Sequence, residues 1–164
     1  MGARPKIKLQ LSPFDRSLEK CGLIGLVILW VVTILAYLHL PDIIPIHFNA
    51  SGKSNNYGSK ITLIFLATFG TIVYYGITIL NRYPHIFNYI KKITEENAEQ
   101  QYTYATCMLR ILKISIVLIF NLIMLSSYLA GIGKTKELNP WFLPFILGLL
   151  IIPTIYYIIK AMAS

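Results

Sequence analysis

The chain has 164 residues, of which 55% are hydrophobic and 13% are charged, and its mean hydropathy is +0.61. Soluble domains carry roughly 25% charged residues, so this composition excludes an ordinary soluble protein and indicates a membrane protein surrounded by lipid bilayer. The formal net charge of +8 does not indicate nucleic acid as a partner, because the lysines and arginines flank apolar segments and form no basic patch interleaved with aromatics. We therefore predict a single all-α membrane domain over 1–164.

The first predicted membrane span is 22–40, a segment without aspartate, glutamate, lysine or arginine. Ser12 followed by Pro13 is typical of a helix start, so a short helical lead-in is expected before the span. At about 1.5 Å per residue the span covers roughly 28 Å, close to the ~30 Å thickness of bilayer hydrocarbon.

A polar loop at 41–60 follows, and its prolines and glycines predict a shaped loop and not a disordered one. Proline fixes φ and pushes the preceding residue into an extended conformation, while glycine permits turns. The residues predicted to shape the loop in this way are Pro41, Pro45, Gly52 and Gly58.

Apolar and polar residues alternate within the loop. Ile44, Ile46 and Phe48 alternate with Pro45, His47 and Asn49. In an extended segment this alternation would place the three apolar side chains on one surface and turn His47 and Asn49 the other way.

The rest of the chain predicts three more helical spans, at about 61–80, 110–130 and 141–159. Ser59 is the predicted cap of the second span. Thr94, followed by two glutamates, is the predicted start of a helix that continues without glycine or proline into the third span. The resulting fold class is an integral membrane four-helix bundle with a shaped extracytoplasmic loop between spans one and two.

Lysines and arginines are divided unevenly between the two ends of the predicted spans. The end that carries the 41–60 loop has only Lys53, Lys60, Lys134 and Lys136. The richer end is expected to be cytoplasmic, because positive charge in short loops is retained on that side. Both termini and the connection 81–106 are then cytoplasmic, and the 41–60 loop faces outward.

The predicted membrane cores contain no aspartate, glutamate, histidine, lysine or arginine, because His39 ends the first span and Arg110 and Lys113 lie at the edge of the third. Charges at mid-bilayer are costly and mark ion or proton pathways, so their absence argues against an ion-coupled transporter. Asn121 is the most polar residue at depth, and we expect it to hydrogen-bond a neighbouring helix.

No motif for catalysis is present: the chain has no nucleophile elbow, phosphate-binding glycine loop or cysteine cluster. His39, Asp42 and His47 form the one grouping of metal-ligand types, but the prolines among them remove the helical spacing that metal motifs use. We therefore predict no catalytic residue, no metal and no cofactor, and these three residues are the candidates if a metal does bind.

The loop carries a family resemblance. Leu40-Pro41-Asp42, Pro45-Ile46-His47-Phe48-Asn49, Gly52 and Gly58-Ser59-Lys60 occur in the order found in domain of unknown function 1648, which this chain resembles. The same domain is similar to the N-terminal part of the SdpI-type immunity proteins, which have further spans after it. Those multi-span bacterial proteins protect a cell from an extracellular toxic peptide and signal its presence. The resemblance implies a bacterial cytoplasmic (inner) membrane and no established activity.

The leading hypothesis is an envelope binding or sensing module in which His47, Asn49 and Lys53, with Asp42 and Lys60, contact an extracytoplasmic peptide, a lipid headgroup or a membrane protein partner. A second hypothesis is a membrane-embedded enzyme or metal site at His39, Asp42 and His47. A third is a structural partner subunit of a larger membrane complex, with the contacts carried by 81–106.

Overall fold

The computed structural model describes residues 4–49, 52–135 and 139–163, so Lys136 lies outside the described residues. Four helices are each long and apolar enough to cross a membrane, which confirms the predicted all-helical membrane bundle. In chain order the elements are α1 (Pro13–His39), β1 (Ile43–Phe48), β2 (Ser54–Ser59), α2 (Thr62–Leu80), a short 3-10 helix (Pro84–Ile86), α3 (Ala98–Gly131) and α4 (Phe142–Ala163).

Helix α1 begins where the sequence predicted. The Ser12 hydroxyl accepts a hydrogen bond from the Asp15 backbone N–H at 3.1 Å, and the Asp15 carboxylate accepts one from the Ser12 backbone N–H at 3.0 Å. This reciprocal capping box satisfies amides that the first turn leaves without a helical partner. The helix then runs unbroken to His39.

The predicted caps of the next two helices are wrong. Ser59 lies in β2, and α2 starts after Ile61 without a side-chain cap. Helix α3 begins at Ala98, because the Asn97 side chain binds the Thr94 backbone N–H and holds the preceding residues in a turn. From there α3 is continuous to Gly131, as the absence of glycine and proline predicted.

Helix α3 is the centre of the bundle, and α1, α2 and α4 all pack against it. Its neighbours α1 and α2 also pack on each other and share one apolar core with it. Helix α4 packs against α3 but has no fully buried residue, so much of its surface is left for lipid. The most completely buried apolar side chains of the shared core are Leu29, Ala36, Ile44, Ala67 and Met124.

Two polar links join the helices inside the apolar region. The Asn121 amide donates hydrogen bonds to the Gly25 carbonyl at 3.0 Å and to the Val117 carbonyl at 2.9 Å, so its predicted bond to a neighbouring helix is present. The Trp30 indole donates to the Thr71 hydroxyl at 2.9 Å. Bonds of this kind add helix contacts that lipid cannot replace.

The bundle has two distinct ends. The hairpin end carries β1, β2 and the connection between α3 and α4. The terminal end carries 4–12, the segment 81–97 and the end of α4. The ligand, loop-shaping and metal candidates predicted from the sequence lie at the hairpin end, whereas the connection 81–106 of the third hypothesis begins at the terminal end.

Candidate functional site

The 41–60 segment is an antiparallel β-hairpin. Ile44 pairs with Gly58 and Pro45 with Tyr57, and then the register becomes irregular around His47, which pairs with Asn56. A bulge of this kind ends strict alternation, because one strand gains a residue relative to its partner. The predicted alternation is therefore wrong at its centre: Ile44 and Pro45 are both buried, and Ile46 is exposed.

Two glycines permit the hairpin's shape. Gly52 has a φ of 83°, in the left-handed region that other residues rarely adopt, and its N–H donates to the Asn49 carbonyl at 2.8 Å. Gly58 lies under Ile46, and a Cβ at that position would come within 2.6 Å of the isoleucine Cδ1.

The base of the hairpin is bound to the bundle. Lys60 Nζ lies 3.2 Å from an Asp42 carboxylate oxygen and donates to the Leu40 carbonyl at 3.1 Å. Its ammonium also lies 5.1 Å from the centre of the Tyr37 ring. Ile44 is fully buried. Asp42 and Lys60, both predicted ligand contacts, thus have a partner in each other and hold the hairpin on the helices.

The other three predicted contact residues lie towards the tip and are exposed. The His47 ring donates from Nδ1 to the Asn55 amide oxygen at 2.6 Å. The Asn49 amide oxygen accepts from the Lys53 backbone N–H at 3.0 Å, so Asn49 closes the turn. The structure therefore places His47, Asn49 and Lys53 together on the polar part of the hairpin farthest from the bundle.

A cleft with a volume of about 590 Å³ separates the hairpin from the end of α3. Among the predicted contact residues, Lys53 lines this cleft. Asn49 instead lines a smaller cleft of about 200 Å³, beside Asn139 and Pro140. The larger cleft is lined by Ile43, Pro45, Lys53, Ser54, Tyr57, Ala130, Gly131, Gly133 and Thr135. It offers an ammonium, two hydroxyl side chains from the hairpin and an apolar floor.

The metal-ligand candidates each have a separate partner. His39 donates from Nδ1 to the Leu35 carbonyl at 2.8 Å, Asp42 pairs with Lys60, and His47 bonds Asn55. Within 4–49, 52–135 and 139–163 no three histidine, cysteine, aspartate or glutamate side chains are grouped so that they could hold a metal ion.

A second polar cluster, which was not predicted from the sequence, lies at the terminal end. Arg110 Nη1 lies 3.2 Å from an Asp15 carboxylate oxygen, and Arg110 Nε lies 3.2 Å from a Glu19 oxygen. The second Glu19 oxygen accepts from Lys113, whose ammonium also donates to the Thr78 hydroxyl at 2.9 Å. We call these residues the buried charge cluster; two carboxylates and two cations make it neutral.

The buried charge cluster joins three helices. Asp15 and Glu19 are four residues apart on α1, and Arg110 and Lys113 are three apart on α3, so each pair shares one helix face. Lys113 is fully buried, and its ammonium lies 4.6 Å from the centre of the Tyr74 ring on α2. The sequence did contain a signal for this cluster: two acids four residues apart before span one, and two bases three residues apart at the start of span three. The four charges cancel in the net charge of the chain, so the net charge does not reveal them.

Fold and site together define a multi-pass membrane protein with a β-hairpin between its first two helices. Residues 24–72 match the family described as domain of unknown function (DUF1648), a range that covers most of α1, the whole hairpin and the first half of α2. This match covers less than a third of the chain and confirms the resemblance seen in the loop. The buried charge cluster lies outside the matched range.

A relative adds little about activity. An uncharacterized protein of Archaeoglobus fulgidus is 33% identical over 100 residues, which cover 52% of this chain and 55% of the relative. The chain thus spans about half the length of the curated relative it matches. No solved structure matches.

Proposed function

We propose that the protein is an envelope binding or sensing module, similar to the immunity-type proteins, which recognises an extracytoplasmic peptide at its hairpin end. The observation that carries this proposal is the hairpin itself. A polar loop that only connected two helices would not require a paired, bulged structure bound to the bundle by Ile44 and Lys60. A preformed, paired structure reduces the entropy lost when a ligand binds.

The hairpin also offers a recognised way to bind a peptide. It is a two-stranded sheet, so in the described part of the chain each strand pairs with another strand on one edge only. An extended peptide can add to such an edge through main-chain hydrogen bonds while pockets receive its side chains. The cleft beside Lys53 and Tyr57 supplies a pocket of that kind.

In the proposed orientation the protein spans the cytoplasmic membrane, with the hairpin end outside the cell and both termini in the cytoplasm. Arg110 and Lys113 are paired with carboxylates, but the remaining lysines and arginines of the terminal end still outnumber those of the hairpin end. Single cysteines at Asn56 and Lys92, introduced after Cys21 and Cys107 are replaced by serine, test this with a membrane-impermeant thiol reagent. Labelling of position 56 alone is expected in intact cells; labelling of position 92 alone would reverse the orientation.

The function itself is tested in a strain that lacks the gene and is challenged with a panel of extracellular toxic peptides. We expect higher sensitivity to at least one peptide, with resistance restored by the wild-type chain and by the control Lys92→Ala. The double variant His47→Ala with Lys53→Ala should reach the membrane at normal abundance and fail to restore resistance. Unchanged sensitivity of the deletion strain across the panel, or full rescue by the double variant, would refute the proposal.

A further inference from the structure

A groove at the terminal end lies between α3, the end of α4 and the segment that follows the short 3-10 helix. Its volume is about 390 Å³. The side chains that define its floor and rim are Ile86, Lys91, Tyr104, Ala105, Met108 and Ile158. The peptide-binding hairpin is at the opposite end of the bundle, so this groove is a separate feature.

The walls of the groove are fixed by contacts behind them. Arg4 donates to the His85 carbonyl at 3.1 Å, and its guanidinium carbon lies 5.6 Å from the centre of the Tyr89 ring. The Tyr89 hydroxyl donates to the Pro84 carbonyl at 2.8 Å. On the other side the Gln101 amide donates to the Ala161 carbonyl at 2.9 Å and holds α4 against α3. The groove is therefore formed before any ligand arrives.

The position of the groove along the helices matches the headgroup layer of a bilayer. Helix α3 has 34 residues, whereas a helix needs only about 20 to cross the hydrocarbon, so its first turns extend past the apolar core. Those turns, together with the last turns of α4, form the groove. Tyrosines and lysines concentrate there, as they do at membrane interfaces.

Two lysine side chains lie at the rim of the groove. Lys91 lines the groove, as does Tyr104. The Lys160 ammonium lies 4.9 Å from the centre of the Tyr104 ring. Tyr89 adds no opposing charge, because a phenol is neutral at physiological pH. Burial and the nearby Tyr102 raise its pKa further, and Arg4 lowers it only in part. An apolar floor below a cationic rim is complementary to a molecule with a hydrocarbon chain and an anionic head.

We propose that this groove binds an anionic phospholipid, with an acyl chain along Met108 and Ile158 and the headgroup phosphate at the rim near Lys91 and Lys160. The bilayer around the four helices supplies the ligand, and basic pockets between helices are known to select anionic headgroups. The site does not depend on which end of the protein faces the cytoplasm, nor on the proposed peptide function.

The test uses the purified full chain in a mild detergent and native mass spectrometry with added phosphatidylglycerol or phosphatidylcholine. We expect phosphatidylglycerol to bind at roughly 10- to 30-fold lower concentration than phosphatidylcholine, the selectivity expected for two lysines near a headgroup. The double variant Lys91→Gln with Lys160→Gln should lose this preference. The matched control, Lys53→Gln with Lys134→Gln at the hairpin end, should keep it.

A second variant tests the acyl-chain part of the site. Ala105→Phe fills the groove without changing its charge and should reduce retention of both lipids, while the melting temperature stays near that of the wild type. Equal retention of phosphatidylglycerol by the wild type and the Lys91/Lys160 variant would overturn the proposal. So would the same thermal stabilisation by inorganic phosphate as by the lipid, since the acyl chain would then be irrelevant. A dimer that Ala105→Phe dissolves would assign the groove to a second copy of the chain instead.

Discussion

The two ends of the molecule each contain a lysine paired with a carboxylate, and the two ion pairs differ in how far they are buried. At the terminal end the side chains of Lys113 and Glu19 are 0% and 29% exposed, whereas at the hairpin end those of Lys60 and Asp42 are 20% and 91% exposed. Water replaces a lost partner at an exposed pair, so such pairs contribute little to stability. A buried pair leaves an uncompensated charge when one partner is removed.

This difference separates charges that hold the fold from charges that are available for recognition. The buried charge cluster connects α1, α2 and α3 at the terminal end. The hairpin end is held mainly by apolar contacts, with Ile44 buried in the core and Leu40 packed against Gly131. Because these apolar contacts hold the hairpin on the bundle, its exposed polar side chains are available for recognition, and this is the reason for proposing ligand binding there.

The largest effect is expected for Arg110→Ala. The substitution leaves the buried Asp15 carboxylate without its ion-pair partner and takes one of two cations from Glu19. Breaking a buried pair costs roughly 3–5 kcal/mol, so the free energy of unfolding in an SDS titration should fall by about that amount.

Two companion variants make this expectation specific. Arg82→Ala, an exposed arginine of the same end, should change the unfolding free energy by less than about 0.5 kcal/mol. Adding Asp15→Ala to Arg110→Ala should cost less than the sum of the two single changes, because the partners form one network. Strict additivity would mean that the two residues do not interact.

An intermediate effect is expected for Asn121→Leu. Asn121 lies between the two ends of the bundle and carries no charge. The leucine has a similar size but loses both hydrogen bonds to carbonyls, one of them on α1. The same titration should show a loss of about 1 kcal/mol, the usual size of such bonds between membrane helices. Leu125→Ala, on the exposed face of the same helix, is the control, and a larger loss there would contradict a role for the Asn121 link.

The smallest effect is expected for Lys60→Gln. Its partner Asp42 is solvated, and glutamine can still reach the Leu40 carbonyl, so the loss should be under about 1 kcal/mol. High salt should reduce the difference between variant and wild type further, because exposed charges are screened. A loss as large as that of Arg110→Ala would show that the two ends are not distinguished by burial.

The positions of the helices could be predicted from the sequence where neighbouring residues alone determine them. The apolar runs predicted four membrane helices, Ser12 and Pro13 predicted the start of α1, and the lack of glycine and proline predicted one long α3. The hairpin was foreseen only as a shaped loop. Strand pairing depends on the register between β1 and β2, and the bulge at His47 shifts that register in a way that alternation cannot reveal.

The sequence by itself determined that this is a membrane protein with four apolar helices and a structured polar connection, because hydrophobicity and backbone preference act over neighbouring residues. Only the tertiary structure decided which charges are buried. Asp15 and Arg110 are 95 residues apart, and they meet because α1 and α3 pack side by side. In the sequence each looks like a solvated flanking charge, and its energetic role depends on a partner that folding brings to it.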